Sequence, residues 1–302
     1  MSLLVVGSVA FDGLETPFGK VDRTLGGAAT YFSVAASFFT HVNLVGVVGD
    51  DFSKEDEAIF RGRRIDISGL ERATGKTFFW AGRYGLDPND RVTLTTELNV
   101  FSTFDPKLPG AFSNSQHVFL ANIHPTLQHS VLQQMKKRPR LVGLDTMNYW
   151  IEGNPDELRQ ILAKTDVLMI NDAETRILSS EHNLLRAARQ IFKLGPRTLI
   201  IKRGEHGATM VDSKGVFCVP GFPLEEVHDP TGAGDSFAGG FMGYLAGARS
   251  LSDAVLRRAM VYGSVMGSFA VERFGLERVR HLKRREIDAR ARHFAKLTQF
   301  RL

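Results

Sequence analysis

Cysteine is almost absent from this sequence: Cys218 is the only one in 302 residues. That excludes an intrachain disulfide and any cysteine-based zinc cluster, and it fits a reducing compartment. Long apolar runs are missing as well, since no stretch approaches the roughly 18 residues of a membrane-spanning helix. The opening Leu3-Leu4-Val5-Val6-Gly7-Ser8-Val9-Ala10 is short, has no basic leader and runs straight to Asp12, so it does not read as a secretory signal. Low-complexity tracts and internal repeats are absent. With 43% hydrophobic and 10% aromatic residues, the composition is not that of a disordered chain. The expectation is a soluble, cytoplasmic protein.

What is present is enough chain for a large core, with about three quarters of the unfolded surface buried on folding. The net charge of +5 is unevenly placed. From Glu272 to Leu302 there are ten basic residues against four acidic ones, which leaves the rest of the chain near neutrality. Lys283-Arg284-Arg285, Arg290 and Arg292 suit either a nucleic-acid surface or the solvated face of a C-terminal helix. Only Phe274, Phe294 and Phe300 interleave with these charges. A base-stacking platform is therefore not indicated, and no nucleic-acid partner is expected.

Short apolar runs alternate with segments of helical character. Strands are expected at Leu3–Val9, Val42–Val48, Val118–Ile123, Leu141–Asp145, Val167–Asn171 and Thr198–Lys202. Several are apolar on successive residues, as strands covered on both faces are. Helices are expected at Ala28–Phe39, Thr126–Lys136, Asp156–Lys164, Asn183–Lys193, Asp235–Leu245 and Ser252–Val271. This rhythm predicts a mostly parallel sheet with helices on both faces, and ligands at the carboxyl ends of its strands. One region departs from it. Thr77–Tyr84 and Arg91–Leu98 flank the turn-rich Leu86-Asp87-Pro88-Asn89-Asp90 and predict an antiparallel hairpin, with Gly13–Thr24 beside it. These pieces, at about 13–25 and 75–100, are read as a small β-rich lid that excludes water from a site.

The most specific string is Asp229-Pro230-Thr231-Gly232-Ala233-Gly234-Asp235-Ser236-Phe237, which runs directly into a helical stretch. The first-turn N–H groups of a helix lack partners and point along its dipole, so such a terminus takes phosphate. Asp235 in that turn either caps the helix or accepts a proton from a substrate hydroxyl beside the anion site. The string resembles the C-terminal signature of the ribokinase-like (PfkB) family of carbohydrate and nucleoside kinases.

The resemblance extends over most of the chain. It implies a three-layer α/β/α fold with a mostly parallel central sheet and a small β-rich lid, forming one kinase unit over residues 1–302. Asp12 and Gly26-Gly27 match the family's sugar-binding elements. The following helix has Tyr31 and Phe32 where relatives commonly have Asn. Asn122, after the strand that ends in Ala121, is a further candidate substrate contact. Asn171-Asp172-Ala173-Glu174 is similar to the Asn-x-x-Glu element, whose implied role is to organise Mg²⁺ largely through water. On its own that tetrapeptide is ordinary helix capping. Lys202-Arg203-Gly204-Glu205-His206-Gly207 resembles the Lys-x-Gly-x-x-Gly turn on the nucleotide side, although a plain β-turn would use the same glycines. Thr231 is placed on that side too, and Gly263 in a helix like the one bordering the adenine pocket.

The implied chemistry is phosphoryl transfer from ATP with Mg²⁺, and relatives commonly bind a monovalent cation such as K⁺. Asp235 would serve as general base, with Gly232, Ala233 and Gly234 presenting N–H groups to the γ-phosphate and Asp12 and Gly27 holding the acceptor. The acceptor stays open. Phe18, Phe78, Phe79, Trp80 and Tyr84 suit a nucleobase, hairpin packing or a dimer interface, while Lys20, Arg23, Arg83 and Arg91 suit a sugar phosphate or acid. A non-catalytic sugar- or nucleotide-binding regulator is the alternative class. The lid also offers a homodimer surface. Two features carry no function. Gly69–Thr77 resembles a Walker A loop but has five residues between its glycines and runs into a strand. His117 and His124 lack metal-ligand spacing.

Overall fold

The computed structural model describes residues 2–299. Phe300 and Arg301 of the basic tail lie outside the described residues. In chain order the strands are β1 (Ser2–Val6), β2 (Ala10–Thr16), β3 (Gly19–Gly26), β4 (His41–Val48), β5 (Ile65–Arg72), β6 (Phe78–Tyr84), β7 (Arg91–Glu97), β8 (His117–Leu120), β9 (Leu141–Asp145), β10 (Val167–Asn171), β11 (Thr198–Lys202), β12 (Ala208–Asp212) and β13 (Gly215–Val219). The helices are α1 (Ala28–Ala36), α2 (Lys54–Glu57), α3 (Pro125–Gln133), α4 (Asn148–Gly153), α5 (Pro155–Leu162), α6 (Asp172–Ser179), α7 (Leu184–Phe192), α8 (Ala233–Gly247), α9 (Asp253–Ala270), α10 (Glu277–Arg280) and α11 (Arg284–Thr298).

A nine-stranded sheet runs in the order β13-β12-β11-β10-β9-β8-β1-β4-β5, with the β11–β12 and β12–β13 pairs antiparallel and the remaining pairs parallel. Its strands are apolar on consecutive residues because alternate side chains enter two different cores. Leu3, Val5, Phe119 and Met169 join α1, α8, α9 and α11 on one face. Leu4, Val6, Val118, Leu120, Leu168 and Ile170 join α3, α5 and α7 on the other. Across the first core, Phe32 of α1 stacks on Phe119 with ring centroids 4.3 Å apart.

The lid is a second, four-stranded sheet in the order β3-β2-β6-β7. It begins earlier than expected. The chain leaves the main sheet after Val6, and Ala10 already pairs with Gly26 and Phe78. The expected strand Leu3–Val9 is therefore cut short, and Asp12 stands on the lid, not at the end of the first main-sheet strand. Among the elements not anticipated, besides β13, α2 and α10, are an edge strand and a helix of the main unit. Edge strand β5, with sequence IDISGLER, alternates with polar residues because one side faces water. Helix α4 is short and mostly exposed. The Walker-like stretch forms β5 and the linker to β6, and no helix follows it.

The basic tail departs from a simply solvated helix face. Arg278 bridges Glu272 and Glu286, each at 2.8 Å. Arg290 bonds Glu272 at 2.5 Å and lies 3.5 Å from the centroid of the Phe269 ring. These guanidiniums fasten α10 and α11 to the C-terminal end of α9. No described helix is long and apolar enough to cross a membrane.

Candidate active site

Three neighbouring strands end in polar residues at one edge of the main sheet. The register pairs Asn171 with Lys202 and Met169 with Asp145. Parallel strands thus bring Asp145, Asn171 and Lys202, far apart in sequence, to a single rim. The Lys202 ammonium donates to Asp145 Oδ2 at 3.0 Å, and both side chains are largely buried. Sequence reasoning missed Asp145. The available signal was a carboxylate closing an otherwise apolar, doubly covered strand.

Helix α8 starts at this rim. Its N-cap is Gly232 at φ +71°, with no side chain capping it. A Cβ on Gly232 would lie 2.4 Å from two carbons of the Tyr31 ring, so both backbone conformation and space demand glycine. At Gly234 a Cβ would sit 3.2 Å from Lys202 Nζ, which places the ammonium against the first turn. The N–H of Ala233 is used in a turn, donating to the Pro230 carbonyl at 3.2 Å. Among the described residues, the N–H groups of Gly232 and Gly234 have no partner. Of the three N–H groups expected to face the γ-phosphate, the middle one is thus engaged in the turn that sets up α8. Asp229 pins the loop from below, accepting from Thr231 N–H at 2.9 Å and Gly275 N–H at 2.8 Å.

Charge is concentrated here. Burial foremost, then Asp145, raises the Asp235 carboxyl to about 6, with Lys202 and Arg91 pulling the other way. Burial raises Glu174 to about 7 against the opposing pull of Lys202. Burial also pushes Asp145 up despite its ion pair. Lys202, in the field of Asp145, Glu174 and Asp235, is held above its ordinary range in spite of its burial. One ammonium thus serves three carboxyls.

On the lid side, the Asp12 carboxyl lies where Gly26 leaves room, since a Cβ there would fall 1.9 Å from Oδ2. Gly27, at φ +92°, opens α1, and Ser8 holds that opening by accepting from Ala28 and Ala29 N–H, each at 3.0 Å. Asn122 is engaged elsewhere. Its Oδ1 accepts from Trp150 Nε1 at 3.0 Å, and its amide nitrogen meets Met147 Sδ at 3.1 Å.

The remaining expected residues divide. Asn171 and Glu174 form a reciprocal capping box on α6, both bonds at 2.8 Å, so the ordinary capping role is present at the same rim. Gly204 and Gly207 form the β11–β12 turn, and Asn89 at the lid tip reaches Glu205 at 3.3 Å. Thr231 Oγ1 donates to Tyr84 OH at 3.0 Å, tying β6 to the loop before α8. Gly263 stands apart, buried mid-way along α9 where a Cβ would be 3.1 Å from the Phe237 ring. His117 is buried in β8, its ring nitrogens have no hydrogen-bond partner among the described residues, and burial lowers its pKa to about 4. His124 Nδ1 caps α3 by accepting from Thr126 N–H at 3.2 Å.

This donor set fits a nucleotide's phosphates. Free N–H groups at a helix N-terminus and an adjacent ammonium are complementary to a polyphosphate. It also fits Mg²⁺ that arrives with the nucleotide. No group of three His, Cys, Asp or Glu that could grip a metal occurs among the described residues. Crowded carboxyls with raised pKa are nonetheless relieved by a cation that keeps most of its waters.

Asp12 gives a test of this electrostatic arrangement. Burial first, then the charges of Asp229 and Asp235, lifts its carboxyl from 3.8 to about 8. A group that binds its proton more tightly folded than unfolded adds stability that is complete below about 4 and lost as pH rises through about 8. The melting temperature of the ligand-free protein should therefore fall between pH 5 and pH 8, and Asp12→Asn should flatten that fall. Scanning fluorimetry over a pH series checks it, and an unchanged slope in the variant would assign the titration to other groups.

Known proteins bear on this geometry. The cytidine kinase of Thermococcus kodakarensis is 30% identical over 84% of this chain and 92% of its own length. The ATP-dependent ribose-1-phosphate kinase of Halopiger xanaduensis is 26% identical over 83% and 81% respectively. A provisionally named ribokinase II of Escherichia coli, solved with ATP and Mg²⁺, superposes with a TM-score of 0.79 over 97% of this chain and 99% of that one at 21% identity. At that identity the likeness speaks for the fold. The sequence matches the pfkB carbohydrate kinases along residues 3–279. The relatives are phosphotransferases that act on hydroxyl groups, and the chain belongs to the pfkB family of carbohydrate kinases.

Proposed function

We propose that this protein transfers the γ-phosphate of ATP to a hydroxyl of a sugar or sugar derivative, with Asp235 as general base. The observation that carries the reading is the meeting of Asp235, Lys202 and the free N–H groups of Gly232 and Gly234 at the start of α8. ATP supplies the phosphoryl group, and Mg²⁺ near Asn171 and Glu174 neutralises its charge. Asp12 and the Gly26-Gly27 loop hold the acceptor, and Asp235 takes the proton of the hydroxyl that attacks. Lys202 and the α8 N-terminus balance charge on the equatorial oxygens, since positioning and electrostatics dominate phosphoryl transfer. In this reading residues 1–302 form one kinase unit. K⁺ beside the 229–235 loop and a cytoplasmic setting belong to the same reading, the latter supported by the single cysteine.

A nucleoside acceptor is the second reading. It is favoured by the cytidine kinase relative and by Trp80, which pairs with Asp12 in register and so shares its face of the lid. A coupled ADP-release assay separates the two. The panel is ribose, fructose, 2-keto-3-deoxygluconate, fructose 6-phosphate, adenosine, inosine and cytidine, with Mg-ATP and either K⁺ or Na⁺. Turnover on one acceptor decides between them. ATP binding without turnover on any acceptor would favour a non-catalytic binding protein.

The same proposal includes a homodimer through the lid. On edge strand β7, Val92 and Leu94 are 56% and 45% exposed. Their face is opposite that of Arg91, which pairs with the buried Tyr84. Outward apolar side chains on a sheet edge suit a second copy. Light scattering that finds only monomer across the micromolar range would remove this part.

A further inference from the structure

Two basic cavities open on the side of the main sheet opposite the carboxyl-end rim. One, of about 390 Å³, is lined by Arg61, Arg63, Arg280 and His281 and by no carboxylate. The other, of about 320 Å³, is lined by His41, Arg64, Arg249 and the last residues of α8, again with no carboxylate. Arg63 and Arg64 lead into β5, so both cavities lie at strand beginnings. Asp235 is in the first turn of α8 and the second cavity is at its end, 15 residues on. At 1.5 Å per residue the two are about 22 Å apart.

Arg63 is the group that the fold does not explain. It is half-buried, and among the described residues no carboxylate pairs with it. A guanidinium presents a fork of N–H donors, and only one hydrogen bond is made, to the Arg280 carbonyl at 2.6 Å. The nearby carboxylates are engaged by other cations. Glu57 pairs with Arg61 and Arg72, while Glu277 faces Arg280 at 3.7 Å and His281 at 3.3 Å. Burial first, then the like charge of Arg280, pulls the Arg63 pKa below the ordinary guanidinium range. Helix carboxyl ends attract cations by themselves, and α8 and α10 both end here. That accounts for a single guanidinium at each end, not for three around one cavity. In the second cavity, Arg64 and Arg249 have no ion pair among the described residues.

We propose that the cavity of Arg61, Arg63 and Arg280 is a second, non-catalytic binding site for a small organic phosphate, one phosphoryl group taking the free donors of Arg63 and Arg280 and a further anionic group reaching Arg64 and Arg249. Guanidinium forks match phosphoryl oxygens in geometry as well as charge. Consecutive Cα atoms are about 3.8 Å apart, so a ligand with two anionic groups serves both cavities across the Arg63-Arg64 step. The inference stands apart from the kinase reading of Asp235.

Calorimetry with inorganic pyrophosphate tests it, on the full chain saturated with Mg²⁺ and a non-hydrolysable ATP analogue so that the α8 N-terminus is filled. One further site should appear, and inorganic phosphate, with a single group, should bind it more weakly. Its Kd should rise about 10-fold in Arg63→Gln and likewise in Arg280→Gln, the worth of one charge-assisted hydrogen bond, with affinity for the analogue unchanged. Absence of a further site, or a Kd unmoved in both variants, overturns the inference. So does displacement of pyrophosphate by chloride at equal ionic strength, which would make the binding a matter of charge alone. If Arg63→Gln does not fold, Arg280→Gln decides, since that side chain is 45% exposed. If the analogue itself does not bind, the kinase reading fails, and the response of pyrophosphate binding to the two variants still decides this site.

Discussion

Asp235→Asn should lower kcat by about 10²-fold or more while leaving KM for ATP within a few-fold, the usual scale for loss of a general base. The substitution keeps size and shape at the first turn of α8 but removes the proton acceptor. In the wild type, kcat should rise with pH through about 6, where the Asp235 carboxyl loses its proton, and level off above. The sign follows from the role, since only the ionised form takes the proton. The variant should lose that limb along with its rate. A variant with near wild-type kcat would rule out Asp235 as the base, and a limb that persisted in it would assign that titration to another group, with Glu174, raised to about 7, as the first to examine.

The second large effect is expected at Lys202. Lys202→Met removes the cation serving Asp145, Glu174 and Asp235, and kcat/KM should fall by about 10²-fold, as when one transition-state donor is lost. The remaining activity should have its acid limb displaced to higher pH, because the charge that pulls the Asp235 carboxyl down is gone. Stability should fall as well. Lys202 and Asp145 are 18% and 8% exposed in their side chains, and stranding one member of a buried pair costs on the order of 3–5 kcal/mol. Adding Asp145→Asn should return most of that stability and little of the activity. Urea denaturation and steady-state kinetics on the single and double variants separate the contributions. Full recovery of activity in the double variant would show that Lys202 matters only to folding.

Much of the site was legible before any coordinates. The loop from Asp229 to Asp235 announces itself through two glycines before an apolar helix, and helix ends are local structures that a short string can specify. The six expected main-sheet strands follow from consecutive apolar residues, because a doubly covered strand has no polar face to show. Asp145 escaped this reading. A carboxylate at a strand end is unexceptional until register brings Lys202 beside it from 57 positions away.

The sequence by itself determined the alternation of strands and helices, the glycine-marked phosphate loop, and the family to which these belong. All of them depend on interactions between residues near in the chain or on periodic burial. Only the tertiary structure decided that Asp12 rides on the lid, that Ala233 spends its N–H in a turn, and that one buried ammonium is shared by three carboxyls. Those outcomes depend on which strands become neighbours and in what register, and on how burial reweights each charge. Neither quantity is carried by local sequence.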